Sequence, residues 1–454
     1  MVIGPQTLWG LVGLVPLVST YADGPGGVSR FEANLGRTKG PQMGTEAIAR
    51  IRAGMAPARS PLGARALAGV LALVLSGVGC SPFEGVGSAA DRGDAGDVDG
   101  GPRGALRPST PASGCELAHP PSAPETSEQS GALEIVVVAN RINAGDLMEE
   151  AGPGWAHLGY DVDDRCSDND GSTHSCIAPD WPRDPEIENV DGEGGIDNAI
   201  GAGFFVANEE GLGETSKVAT TFAENGARSF IVRVRGYNGQ ADDDRVSVSM
   251  FAVTTSPSPG EPAEIPAFDG FDRWYGYETC FVDEADAGVP SGELPAARYT
   301  DTDAYVRGHR LVARFPIIWS VHGMLSRYVI SATLREEAGG YTLRDGVASG
   351  RLRHEDVLGL LGRSVDPVTF QRLCIGNPRY ERRKQILCSL IDASYDGPDD
   401  GSRVCDAATW AYGFEAVPAI LAGVVPWEPT ECEPGDRPGV DDSCHAASDA
   451  GSPP

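Results

Sequence analysis

The chain has 454 residues, 65 acidic against 36 basic side chains and a net charge of −29. So acidic a protein is repelled by nucleic acid and by anionic lipid surfaces, which excludes nucleic acid as a partner and leaves cations, basic proteins and neutral sugars. Its 59 glycines, nearly twice the usual share of about 7%, suit a loop-rich β protein better than a helical one.

Residues 1–54 contain an apolar stretch, LWGLVGLVPLV, with no Lys or Arg before it, and read as an over-extended start. Met55 opens a self-sufficient export signal over 55–79: Arg59 and Arg65 supply the positive region, and the apolar run Ala66–Gly79 follows. That run is 14 residues long. A helix needs roughly 20 residues to cross a bilayer core, whereas the apolar region of a signal peptide needs about 7–15. The run ends on Val78, Gly79 and Cys80, with Gly77 where Leu is usual. Here the chain resembles bacterial lipoproteins, whose lipobox places small residues before a Cys at the cleavage point. The resemblance implies a diacylglyceryl group on the Cys80 thiol and a membrane partner through that anchor. Because Ser81 rather than Asp follows the Cys, it also implies delivery to the outer membrane or cell surface. Ordinary signal cleavage near Ser88–Ala90 would instead release a secreted form. Loss of 1–79 removes seven basic and three acidic residues, making the remainder more acidic still.

Residues 80–130 are rich in Gly, Pro, Ala, Ser and Asp without strand or helix periodicity, and read as a disordered tether with a reach on the order of 40 Å. Order is expected over 131–431. The β-branched run Ile135–Val138 has strand chemistry. SFIVRVRGYNGQADDDRVSVSMFAV alternates on both sides of a polar loop, as a hairpin with one buried face does. YVRGHRLVARF and RYVISATLREEAGGYTLRDG repeat the pattern, the second turning at Gly339 and Gly340. Helical signals gather near 353–391, in HEDVLGLLG, in DPVTFQRLC with Asp366 and Pro367 at the start, and in PRYERRKQILCSLI. In the last, Arg379, Arg382, Arg383 and Lys384 lie mostly opposite an apolar stripe, and are expected to pair with the protein's own carboxylates. The expected fold class is mainly β: a β-sandwich-like domain with a short helical segment near 353–391. Thr254–Pro266 marks a candidate boundary between two smaller β domains, and 432–454 reads as a disordered C-terminal tail.

Ten cysteines fit an oxidising compartment. With Cys80 given to lipid, proximity in sequence pairs Cys166 with Cys176, Cys388 with Cys405, and Cys432 with Cys444, and an odd count leaves Cys115 as the candidate free thiol. No Cys-x-x-Cys occurs and the seven histidines are scattered, so zinc has no evident ligand set.

No nucleophile elbow, phosphate-binding loop or zincin motif is present. Two stretches carry chemistry. In FDGFDRWYGYETCFVDE, Trp274, Tyr275, Tyr277 and Glu278 would suit a sugar ligand, or, with Asp283, a glycosidase acid pair; a packed aromatic strand is the competing reading. In GYDVDDRCSDNDGS and NVDGEGGIDNAIG, Asp161, Asp163, Asp164, Asp168 and Asp170 are followed by Asp191, Glu193 and Asp197. Carboxylates so crowded repel unless solvated or gathered on a hard cation, and Asp alternating with Gly and Asn is how calcium loops present oxygens. A solvated acidic loop is one reading; the other is a calcium ion as cofactor, on Asp161, Asp163, Asp168, Asp170, Asp191, Glu193 and Asp197. These loops and the Cys-punctuated C-terminus look similar to uncharacterised exported Cys-containing lipoproteins, a likeness that implies no activity. The expected function is a surface-displayed module binding a glycan or protein ligand. An extracellular glycan hydrolase and a purely structural envelope protein are the alternatives.

Overall fold

The computed structural model describes residues 118–125, 131–150, 152–165, 175–184, 187, 191–282, 294–320, 323–364, 366, 368, 372–427, 432 and 442–444. The start, the signal, Cys80, Cys115, Cys166, Asp168, Asp170 and Asp283 lie outside them, as do Pro367 and residues 369–371 of DPVTFQRLC.

The elements run β1 (Leu133–Asn143), the short ribbon β2 (Met148–Glu149) and β3 (Gly152–Pro153), α1 (Ala199–Glu209), α2 (Thr215–Glu224), β4 (Ser229–Tyr237) and β5 (Asp243–Thr254). They continue with β6 (Arg273–Tyr277), β7 (Thr300–Arg307), β8 (Arg310–Ser320), β9 (Gly323–Glu337), β10 (Gly340–Arg353), α3 (His354–Arg363), α4 (Pro378–Ser389), β11 (Ala407–Pro418) and β12 (Ile420–Val425).

The protein is mainly β, and the hairpins read from alternation form as β4–β5, β7–β8 and β9–β10. They belong to a closed barrel, where a sandwich was expected. Eight antiparallel strands run in the order β5-β4-β1-β11-β10-β9-β8-β7, and β7 returns to β5 with Ala304 opposite Val246 and Asp301 opposite Val248. Closure satisfies the edge hydrogen bonds that a sandwich leaves open, and eight strands enclose a lumen that side chains can fill. Val137, Val232, Val248 and Phe414 belong to that inner core, while their neighbours Val138 and Ile231 join a second cluster with Phe251, Trp274 and Phe281. The second cluster forms because the end of β5 leaves the barrel to pair with β6, Thr254 opposite Tyr275, and β12 adds to β6 in parallel. Burial on both faces explains why Ile135–Val138 is continuously apolar instead of alternating.

Thr254–Pro266 connects β5 to β6 across this second layer. The Thr255 hydroxyl donates to the Glu264 carbonyl at 2.6 Å and lies 3.2 Å from that of Gly226. Strands from both sides of the segment are neighbours in one barrel.

Helices α3 and α4 fall in the expected segment, α4 starting at Pro378 with Asn377 accepting from the Arg379 amide. Helices α1 and α2 were not foreseen. Asn198 caps α1 by accepting from Gly201 N at 3.1 Å, and a Cβ at Gly203 would fall 2.3 Å from Leu390, so only glycine lets α1 come this close to the α4 end. The basic face of α4 meets the protein's own carboxylates: Arg382 pairs with Asp184 and Glu210, Arg379 with Asp366, and Lys384 with Asp442.

Three disulfides replace the pairing expected from proximity: Cys176–Cys405, Cys374–Cys432 and Cys388–Cys444. The first joins residues 229 apart in sequence, because a parallel bridge sets Ile177 against Val404. The other two bind the C-terminal segment to the α4 region, so Cys432 and Cys444 are anchored points within the stretch read as a free tail. Cys280 is also disulfide-bonded. Such cross-links are consistent with an exported protein. Residues 118–125, read as part of the tether, likewise lie against the barrel: Ala118 O accepts from Asp161 N at 2.8 Å, and Ser122 O accepts from Arg307 at 3.0 Å.

Candidate metal centre

The first acidic loop follows Gly159, whose φ of +144° and crowded surroundings exclude a side chain: a Cβ there would lie 2.9 Å from Ala411 and 2.8 Å from Ile196. The chain then turns tightly, and its carboxylates close the turn. Asp161 Oδ1 accepts from the amides of Asp163 at 3.1 Å and Asp164 at 2.6 Å, and Asp163 Oδ1 accepts from Arg165 N at 2.9 Å. Asp197, one residue before the α1 cap, reaches across to accept from Val162 N at 2.7 Å and Asp163 N at 3.2 Å through Oδ2.

Asp161, Asp163 and Asp197 are thereby brought together, 6%, 4% and 2% exposed, with one carboxylate oxygen from each lying within 4.8 Å of the others. Asp161 Oδ2 is buried without a hydrogen-bond partner. Burial, and then repulsion from Asp163, pushes the Asp161 carboxyl up to about 7. Burial also raises Asp163, against the opposing hydrogen bond from Ser175 and the charge of Arg351. Asp197 is held well above its ordinary range by burial and by the surrounding Asp163, Asp191, Asp161 and Asp392.

Around this trio stand residues to which sequence reasoning assigned no role. Arg351, fully buried on β10, grips Asp399 with two parallel bonds of 2.8 and 2.9 Å and donates to Ser394 O at 2.7 Å. It also donates to Val162 O, which ties the acidic turn to the barrel wall. Asp392 accepts from Thr409 N and Oγ1 at 2.9 and 2.7 Å, and burial raises it to about 7. The one signal available was its place in LIDAS, a carboxylate set between buried apolar residues. Cys176–Cys405 fixes Ser175 beside the same loops.

Of the other expected ligands, Asp191 acts on Asp197 through its charge. Glu193 is not part of the trio: it is exposed and pairs with His157 Nδ1 at 3.1 Å. The aromatic stretch does not form a sugar platform. Trp274 is 0% exposed and packs into the second core cluster, with Phe268 beside it. Tyr275 is half-buried, Tyr277 packs against the same cluster and its ring meets Trp427 edge-on at 5.6 Å, and Glu278, itself exposed, begins a turn that ends on the buried Cys280.

No family model, curated protein or solved structure matches this chain. The chemistry of the site therefore rests on its donors. Three carboxylates, all oxygen and all hard, suit calcium, and two oxygens each about 2.4 Å from one ion lie at most about 4.8 Å apart. The trio fits that limit.

Proposed function

We propose that the protein is a lipid-anchored module of the bacterial cell envelope that binds its ligand through a barrel organised by calcium. The carrying observation is the trio itself: Asp161, Asp163 and Asp197 are buried together, and Asp161 Oδ2 has no hydrogen-bond partner. An unpaired buried carboxylate oxygen is costly, and a divalent ion is the partner that would satisfy it while neutralising its neighbours. Asp161, Asp163 and Asp197 would hold the ion, with Arg351 and Ser175 as positioning residues. The lipobox-like VGC at Cys80 and the disulfide framework support export and anchoring at the outer membrane. The burial of Trp274 favours a binding module over a glycan hydrolase built on the aromatic stretch.

Isothermal titration of the full chain with calcium tests the reading. One site is expected, weaker for magnesium, which demands tighter octahedral geometry, and lost in Asp161→Asn. An absence of calcium heat, with the wild-type fold verified by circular dichroism, would overturn it.

A further inference from the structure

A second site lies away from the acidic loops, among the helices. Thr215, Val218, Ala219 and Phe222 recur on α2 at the spacing of one helical face, and Val357, Leu360 and Leu361 do the same on α3. Both stripes line one cleft of about 140 Å³. That is close to the cavity of roughly 150 Å³ known to take up a benzene ring. Val218, Ala219, Phe222 and Leu360 are only half-buried, so this apolar surface is not fully covered by the fold.

At its margin stands Arg228. In a chain with 65 acidic and 36 basic residues, its guanidinium pairs with no carboxylate among the described residues. It rests on the Phe222 ring, 5.0 Å from the centroid, with the Tyr277 phenol as the titratable group that acts on it. Arg228 is half-buried, and desolvation lowers its pKa to about 10. Arg383, on α4, lines the same cleft: it donates to Leu212 O while its Nε–H is buried without a partner. The contrast with Arg379, Arg382 and Lys384, all paired with carboxylates, sets these two arginines apart.

We propose that this cleft binds a small amphiphilic carboxylate, its apolar body between α2 and α3 and its head group on Arg228. Non-polar walls with a few placed polar groups are the usual make-up of a small-molecule site, and a guanidinium is the side chain whose fork matches a carboxylate. Arg383 supplies a second donor at the same mouth. The site is independent of the calcium reading.

The test is a ligand-observed NMR titration of the full chain with hexanoate, hexan-1-ol and hexylamine. Hexanoate is expected to bind saturably, about tenfold tighter than hexan-1-ol, the factor one charge-assisted hydrogen bond supplies. Hexylammonium should be excluded. Arg228→Gln should bring hexanoate down to the affinity of hexan-1-ol while leaving the alcohol bound, which also reports an intact cleft. Ala219→Phe should block both. Equal affinity of the wild type for acid and alcohol, or no saturable hexanoate binding, overturns the proposal without recourse to any variant. So does an Arg228→Gln protein that keeps the preference.

Discussion

Calcium should stabilise this protein in proportion to pH. A carboxyl whose folded pKa lies above its unfolded value is favoured in its neutral form by folding. The fold then binds more protons than the unfolded chain from about pH 4 to 7. Asp161 and Asp392, both raised from 3.8 to about 7, are of this kind. Asp161 faces Asp163, Asp164 and Asp197, and Asp392 faces Asp163 and the cations Arg351 and Arg183. In chelator, stability should therefore be greatest at the acid end of that window and fall as pH rises through about 7. Ionising one such group against its environment is worth on the order of 4 kcal/mol. Calcium takes the ionised form and offsets that loss, adding about 2.7 kcal/mol at a hundredfold excess over Kd. For a domain of this size the melting midpoint should rise by roughly 5 °C at pH 8. At pH 5, where protons hold the site, the calcium increment should shrink towards zero. Asp161→Asn should be more stable than wild type in chelator at pH 8, because an amide keeps the two accepted backbone bonds and sheds the charge, and it should gain nothing from calcium. The assay is scanning calorimetry at fixed ionic strength. A calcium increment of equal size at pH 5 and pH 8, or none at pH 8, would refute the reasoning.

Three further outcomes follow from the same framework. Arg351→Met takes from Asp399 the buried one of its two cations, leaving Arg327, and strips the Ser394 and Val162 carbonyls of a donor, so it should lower the unfolding free energy by about 2–3 kcal/mol in denaturant titration; a loss below about 1 kcal/mol would make the pair no stronger than a surface one. Replacing Cys176 and Cys405 by Ala opens a loop of 229 residues and should cost about 5 kcal/mol in the chain-entropy model, with weaker calcium binding because Ser175 loses its tie; unchanged calcium affinity would detach the disulfide from the site. Cys80→Ala should move the protein from the membrane fraction to the soluble envelope fraction, and unchanged fractionation would rule out the anchor.

Alternation in the sequence located most barrel strands, because a half-buried strand must alternate and β4, β5, β8 and β9 do. It could not specify closure. Whether β7 pairs with β5 is decided by twist and by the length of β5, and these leave no periodic mark in either segment. Helix α1 escaped notice because AIGAGFFVANE is small and apolar nearly all round, with Ala199 through Gly203 all buried, so no stripe separates core from solvent. The disulfides misled because nearness in sequence is a weak guide once a barrel brings β1 beside β11. At the site, the density of Asp in two loops was legible, and Asp161, Asp163 and Asp197 do converge. Arg351 and Asp392 were not legible as a site, since a charge among the other charges of β10, or one just after a helix, looks the same whether it faces solvent or a buried partner.

The pairing of β1 with β11 sets Val137 opposite Pro418, so the first strand of the barrel waits for one of the last. A chain made from its N-terminus must carry β1 with one side unmatched while some 280 further residues appear. No sub-barrel can seal in the meantime, because β4, β5, β7, β8, β9 and β10 all lie on the path between those two edges. Such an order of assembly keeps the polypeptide threadable until β11 has been made. It also exposes the edge of β1 to any neighbouring nascent chain, so the time between emergence of β1 and of β11 is the interval in which this protein is most in need of a chaperone.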